Sequence, residues 1–153
     1  MLLQFPLKLL PTKKPVVSLN GRMVRPRAYV TAGLIGPAGA SIEVAHLDPG
    51  SDDCVFPASL AAKIGIDLSN APIGEAVGIG TSPVTLRFAR ASLRLFSGAD
   101  CCEWPAWIAF ADASINRPLL GFAGCLEFFT TTYYGDRELV EMCPNDRFPG
   151  VFL

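Results

Sequence analysis

The residues best suited to chemistry lie close together, in residues 47–57. An apolar segment leads into the tripeptide Asp48-Pro49-Gly50, and a second apolar run begins at residue 54. Two carboxyl groups about 3 Å apart share one proton, because two like charges at that distance do not both ionise readily. The ionised group can then act as a base on water while the protonated one polarises a carbonyl group. The segment predicts such acid–base chemistry at Asp48 if a second carboxylate lies beside it.

The second carboxylate has to come from another chain. Asp48 is the only aspartate in the sequence that is followed by glycine two residues later. This excludes a two-lobed monomer with one such turn in each lobe, so a pair of Asp48 side chains requires the twofold axis of a homodimer. Gly50 allows a close backbone approach in the turn. The hydroxyl of Ser51 is expected to donate to the outer oxygen of Asp48. The same tripeptide is also typical of an ordinary surface β-turn.

Other chemistries are less well supported by the sequence. His46 is the only histidine, so any Ser-His-Asp or Cys-His site depends on it, and a position at the core edge or in solvent is favoured. The five cysteines contain no C-x-x-C pair, which argues against a metal site and for reduced thiols. Residues 74–80 are rich in glycine but lack the Gly-Lys-Ser/Thr ending of a phosphate-binding loop.

The elements around the turn are predicted to be mainly strands. A short helix is expected over residues 57–65, with Pro57 at its start and Gly65 as a left-handed cap. The strand over residues 83–96 changes its alternation near Ala89 and Arg90, which predicts a bulge or sharp bend there. The other predicted elements are strands over residues 4–10, 24–34, 41–47 and 104–110, a polar connector over 11–15, a helical turn over 122–128 and a hairpin formed by 130–134 and 138–142.

Four pieces follow one another in a recognisable order: a strand into Asp-x-Gly, a helix of the form Pro-x-x-Leu-x-x-Lys-x-Gly, a Gly-x-Gly tip, and an apolar-apolar-Gly segment. Over roughly residues 24–142 this order resembles the retropepsin-like aspartic protease family, with Asp-Pro-Gly in place of Asp-Thr-Gly. The resemblance implies a mostly β fold, namely a single-lobe acid-protease β-barrel with one or two short helices. Residues 1–153 are expected to form this one domain.

The resemblance also implies roles for individual residues. Asp48 corresponds to the catalytic aspartate, and Asp52 and Asp53 to acidic residues that hold the peptide main chain, although a cation site or a solvated acidic turn is also possible there. No metal or cofactor is implied, and the implied partners are a peptide or protein substrate and a second copy of the chain. The remaining implied positions are the supporting loop Pro49, Gly50 and Ser51, the flap Gly78, Ile79 and Gly80, and the segment behind the loop, Leu119, Leu120 and Gly121.

Two departures from the family pattern concern the machinery. Pro49 has neither the hydroxyl nor the N–H with which the family's threonine grips the opposite subunit. Phe122 follows Gly121 where the family usually has arginine, so Asp52 loses that partner. Two functions therefore stay open: a homodimeric aspartic endopeptidase, or a catalytically inactive retropepsin-like domain that binds a peptide or protein or serves for dimerisation. A third interpretation is an unrelated small β-barrel in which the turn has no function.

Composition sets the remaining expectations. A net charge of −1 gives no overall attraction to nucleic acid or to an anionic membrane. No apolar run approaches the roughly 18 to 20 residues that span a bilayer. Pro6 and Lys8 interrupt the apolar start of the sequence, which argues against a signal peptide. A cytoplasmic protein is expected.

Overall fold

The computed structural model describes residues 1–78 and 82–153. The described residues form thirteen strands, one α-helix and two short 3-10 helices, which confirms the prediction of a mostly β protein. The 3-10 helices cover Val17–Leu19 and Leu126–Phe128. The strands and the α-helix are β1 (Leu3–Pro6), β2 (Lys8–Val16), β3 (Arg22–Arg27), β4 (Tyr29–Gly36), β5 (Gly39–Leu47), β6 (Val55–Pro57), α1 (Ser59–Lys63), β7 (Ile73–Ala76), β8 (Val84–Ser97), β9 (Asp100–Ala111), β10 (Leu119–Leu120), β11 (Phe129–Tyr134), β12 (Leu139–Pro144) and β13 (Val151–Phe152).

Three sheets contain these strands. The main sheet has the order β13-β9-β6-β10-β5-β4-β8-β7, and β8 also pairs with β9. A second sheet has the order β1-β12-β11, in which β11 and β12 form the hairpin predicted from the sequence. The strands β2 and β3 form a two-stranded sheet of their own.

The start of the chain differs from the prediction in two places. Residues 24–34 were expected to form one strand, but β3 ends at Arg27 and β4 begins at Tyr29. The interruption arises because β3 pairs with β2 in the small sheet, whereas β4 pairs with β5 in the main one. Residues 11–15 were expected to be a connector, but they lie within β2, whose pairing with β3 shifts register after Pro11.

The helix is shorter than predicted. Pro57 ends β6 and does not begin the helix, which starts at Ser59. Gly65 follows the helix with a φ of +82°, as expected for a left-handed cap. Ile64 is fully buried and packs in the main core, against which Leu60 also packs.

The predicted bulge in β8 is wrong. Its pairing with β9 runs without a register shift from Leu86 opposite Ala111 to Ser97 opposite Asp100. The change of alternation has another cause, because the two ends of β8 are buried on opposite faces. Leu86 packs in a small apolar cluster beside β6, whereas Leu93 and Leu95 pack in the main core.

The main core lies between the strands and α1. Its largest buried side chain is that of Trp104, whose ring stands edge-on to Phe129. The indole N–H of Trp104 donates to the carbonyl oxygen of Gly124 at 2.7 Å, so the buried polar atom is satisfied. Gly124 belongs to the loop after β10, and this bond therefore ties the core to the segment that supports the candidate site.

Candidate active site

The strand β10 passes between the two strands that flank the Asp48 loop. It runs parallel to β5, with Leu119 opposite His46, and Leu119 also pairs antiparallel with Val55 of β6. The backbone N–H of Asp48 donates to the carbonyl oxygen of Leu120 at 3.0 Å. Residues 48–54 therefore cross over β10 as they connect β5 to β6, and β10 holds the start of the loop in place.

The Asp48 turn is closed by its own hydrogen bonds. The N–H of Ser51 donates to the carbonyl oxygen of Asp48 at 3.0 Å, and the N–H of Gly50 donates to the Oδ1 atom of Asp48 at 2.9 Å. The hydroxyl of Ser51 donates to the carbonyl oxygen of Asp53 at 2.8 Å. The expected bond from the Ser51 hydroxyl to Asp48 is therefore wrong, because this hydroxyl closes the next turn instead.

The segment after β10 supports the loop from behind. The N–H of Phe122 donates to the carbonyl oxygen of Ser51, and the N–H of Ala123 to that of Asp52, both at 2.9 Å. A Cβ atom on Gly121 would lie 2.5 Å from the carbonyl oxygen of Ser51 and closer still to that of Asp53. Only glycine lets the two segments approach this closely. The structure thus brings the predicted apolar-apolar-Gly segment directly against the predicted loop.

The loop opens onto a cleft of about 370 Å³. Its lining contains both carboxylates and apolar side chains. The wall opposite the Asp48 loop is formed by β7, the first residues of β8 and the end of β9. Gly78 lies on this wall, whereas Ile79 and Gly80 of the predicted flap lie outside the described residues. The carboxylates are those of Asp48, Asp52, Asp53 and Glu75, and the apolar lining includes Val55, Val84, Leu86, Ala111, Ile115 and Leu119.

Electrostatic effects distinguish the carboxylates within one chain. Burial raises the pKa of Asp53, and the neighbouring charge of Asp52 raises it further. The carboxyl group with a raised pKa is thus Asp53, whose partner is adjacent in sequence.

The charge of Asp48 affects the pKa values of two aromatic side chains, His46 and Tyr133. Partial burial lowers the pKa of His46; the charge of Asp48 opposes this effect and that of Arg27 adds to it. Partial burial raises the pKa of Tyr133 to about 12, and Asp48 contributes. His46 packs edge-on against Tyr29, in keeping with the structural role expected for it.

The two sequence departures lie at the exposed rim of the loop. Pro49 is exposed, and the side chain of Phe122 is 56% exposed. Asp52 is exposed too, and it forms no ion pair within residues 1–78 and 82–153. The main chain of Phe122 still supports the loop, so the departure from the family pattern removes only a side-chain partner of Asp52.

Sequence reasoning missed Glu75, Ile115 and Tyr133. Glu75 and Ile115 line the cleft from positions outside the predicted motifs, and the charge of Asp48 contributes to the raised pKa of Tyr133. No local motif marks these residues, because only the three-dimensional structure brings them to the site. The pairing of β7 with β8, for example, places Glu75 opposite Thr85. Within the described part of the chain, no group of His, Cys, Asp and Glu side chains is arranged to hold a metal ion. No described helix has the length and apolar character needed to cross a bilayer.

Comparison with known proteins gives a structural match. No protein-family model matches the chain, and no curated protein sequence matches it significantly. The crystal structure of a retropepsin-like aspartic protease from Rickettsia conorii superposes with a TM-score of 0.56 at 14% identity, covering 100% of this chain and 94% of that one. The likeness favours the retropepsin-like fold over an unrelated barrel. The chain therefore has the fold of a retropepsin-like aspartic protease.

Proposed function

We propose that the protein is an aspartic endopeptidase of the retropepsin type, active as a homodimer. The observation that carries the proposal is the position of the Asp48 carboxylate, which the N–H of Gly50 holds in a loop fixed over β10 at the edge of a cleft. In the proposed enzyme the main sheet, joined back through the β8–β9 pairing, would form the barrel. The proposed location is the cytoplasm, where the five free cysteines would stay reduced.

The proposed reaction uses one carboxylate from each chain. Two Asp48 side chains would share one proton across the twofold axis. The ionised one would take a proton from water, and the protonated one would donate a hydrogen bond to the scissile carbonyl oxygen. Collapse of the tetrahedral intermediate would then transfer a proton to the leaving amine. Gly78, Ile79 and Gly80 are proposed to cover the substrate as a flap.

The cleft supports a peptide as the substrate class. Its apolar lining from Val84, Leu86 and Leu119 suits an apolar side chain next to the scissile bond, and its volume of about 370 Å³ is that of a small ligand site. Asp52 and Asp53, on the same loop as Asp48, are proposed to accept main-chain N–H groups of the peptide. Both residues line the cleft beside Asp48.

The decisive experiment combines cleavage with a measurement of assembly. The protein should cleave an unfolded polypeptide at acid to neutral pH, a statine-type inhibitor should stop it, and Asp48→Asn should abolish it. Asp100→Asn is the matched control, because Asp100 is an exposed aspartate at the β8–β9 turn, at the other end of this strand pair from the cleft residues Leu86 and Ala111. Cleavage that survives Asp48→Asn, or a strictly monomeric active protein, would refute the proposal.

The alternative is a catalytically inactive domain that binds a peptide or partner through the same cleft. Pro49 favours it, because proline lacks the hydroxyl and the N–H for a grip across the axis. The variant Pro49→Thr separates the two functions. A gain of dimerisation together with a gain of cleavage supports the peptidase, whereas peptide binding without cleavage in both proteins supports the binding module.

A further inference from the structure

The charges of the chain are segregated along its sequence, although they nearly cancel overall. Residues 1–42 contain six of the thirteen lysines and arginines and no aspartate or glutamate. Residues 43–153 carry the other seven basic side chains and all fourteen acidic ones. The net charge of −1 therefore combines a strongly basic segment with an acidic remainder.

All six basic residues of this segment lie on the hairpin formed by β2 and β3, here called the basic hairpin (residues 8–27). Lys8 stands directly opposite Arg27, and Leu10 opposite Arg25, so that Lys8, Arg25 and Arg27 share one face. Like charges directly opposite each other destabilise a pair of strands. The hairpin thus holds a local repulsion that an anionic surface would relieve.

Most of these charges have no acidic partner among the described residues. Arg22, which stands opposite Val16 next to the tip, pairs with Glu138 at 2.5 Å and ties this end of the hairpin to the turn before β12. Over residues 1–78 and 82–153, no carboxylate lies within ion-pair distance of the other five basic side chains. Lys13, Lys14 and Arg25 surround a shallow recess of about 640 Å³ near the tip. Such a recess suits a phosphate group.

Apolar side chains are exposed beside these charges. Val17, at the tip, is 92% exposed, and Met23 is about half exposed on the same face as Arg25. Leu9 is exposed on the other face. Water-exposed apolar side chains next to lysine and arginine are typical of segments that lie at the boundary between lipid headgroups and acyl chains.

The composition of the hairpin also favours lipid over nucleic acid. Residues 8–27 contain no Phe, Tyr or Trp, so the hairpin offers no ring on which a base could stack. We infer that the basic hairpin is a docking surface for an anionic membrane, with Lys13, Lys14 and Arg25 binding lipid phosphates and Val17 entering the headgroup layer. This inference is independent of the proposed peptidase activity.

The test is co-sedimentation of the full chain with lipid vesicles. Binding is expected to vesicles that contain phosphatidylglycerol and not to vesicles of phosphatidylcholine alone. Each lysine or arginine near such a surface strengthens binding about fivefold, so the triple variant Lys13→Gln, Lys14→Gln, Arg25→Gln should bind roughly a hundredfold more weakly. Raising the salt from about 0.1 M to about 1 M should release the protein, because the Debye length falls from about 10 Å to about 3 Å.

The chain supplies a matched control. Lys63 is the only lysine outside the hairpin, and it is exposed, so Lys63→Gln should bind like the wild type. Val17→Ser tests the apolar contact without adding a charge or disturbing the core, and it should also weaken binding. Equal binding by the triple variant and the wild type would overturn the inference. Binding of the wild type to duplex DNA but not to vesicles would also overturn it. The same holds if the triple variant differs from the wild type only in self-association.

Discussion

Gly121→Ala tests whether the segment after β10 sets the position of the Asp48 loop. The new methyl group would lie 2.5 Å from the carbonyl oxygen of Ser51 and 2.8 Å from the carbonyl carbon of Asp53. Both contacts are with main chain, so no flexible side chain can move aside. The two carbonyl groups also accept hydrogen bonds, from the N–H of Phe122 and from the hydroxyl of Ser51. One methyl group therefore pushes on two of the hydrogen bonds that fix the loop.

The size of the effect follows from these contacts. Losing two hydrogen bonds costs about 2 kcal/mol, at about 1 kcal/mol each. Inserting a methyl group into a filled space costs about 1 to 3 kcal/mol. Because the loop can relieve the overlap by giving up the bonds, the two costs overlap, and we expect a loss of about 3 kcal/mol in the free energy of unfolding. For a chain of this size that corresponds to a fall in Tm of about 6 to 12 °C.

Thermal unfolding and urea titration measure this change, with Gly135→Ala as the control. Gly135 lies in the turn between β11 and β12, and a Cβ atom added to it would meet no heavy atom within 4 Å apart from its chain neighbours. Its replacement should alter the free energy of unfolding by less than about 0.5 kcal/mol. If Gly121→Ala unfolds at the same temperature as the Gly135→Ala protein, the loop is not held in the way described. A peptidase should also lose about a hundredfold in activity, because a shift of about 1 Å misplaces Asp48.

Three further predictions follow from the shifted pKa values. The pKa of His46 lies below its ordinary 6.5, so the unfolded chain takes up more protons than the folded one, and the free energy of unfolding should fall below about pH 6.5. This loss should be smaller in His46→Gln, as measured by urea unfolding at several pH values. The pKa of Asp53 lies above its ordinary 3.8, so the contribution of its protonated form to the free energy of unfolding is lost as the pH rises above about 4. The variant Asp53→Asn should therefore be more stable than the wild type at pH 7 and no more stable at pH 3. The charge of Asp48 helps to hold the pKa of Tyr133 at about 12, so Asp48→Asn should lower it in a phenolate absorbance titration, and an unchanged titration would place Asp48 away from this ring.

The sequence pattern predicts strands well, but it does not show which apolar cluster each face of a strand packs against. The change of alternation in β8 is a correct observation, and Leu86 does face the opposite side from Leu93 and Leu95. A bulge is one way to produce such a change, and two separate apolar clusters on opposite faces are another. The second explanation can be recognised only when the strands that cover each face of β8 are known. Those strands pack there through contacts between residues distant in sequence.

The division of residues 24–34 between two sheets has the same origin. Local propensity favours one long strand over residues 24–34, although Pro26 within it cannot donate a ladder hydrogen bond. Tertiary pairing decides otherwise, since Arg27 pairs with Lys8 while Tyr29 pairs with His46. Propensity is a weak guide wherever the partner strands belong to different sheets.

The candidate site was predictable where a motif fixes the main chain and unpredictable where a side chain chooses between acceptors. Asp48, Gly50 and Gly121 belong to the motifs that carry the family resemblance, and the close approach at Gly121 requires glycine. The hydroxyl of Ser51 was expected to donate to the carboxylate of Asp48, and only the geometry shows that it donates to the carbonyl oxygen of Asp53. Glu75 reaches the cleft through strand pairing alone.

The same geometry limits what the two departures from the family pattern can disturb. Proline suits the second position of a turn, and the bond from the N–H of Ser51 to the carbonyl oxygen of Asp48 closes this turn without any N–H at residue 49. Phe122 supports the loop through its main chain, so an arginine side chain is not needed to hold Ser51 in place. Within one chain, the hydrogen bonds that hold the Asp48 carboxylate therefore need nothing from the side chain of residue 49. In the proposed dimer, the departures would act instead on contacts between chains, through the lost grip of residue 49, and on the charge of Asp52. Whether the protein hydrolyses peptides should thus depend on how tightly two copies associate, and a variant that strengthens the dimer should raise activity without altering the loop.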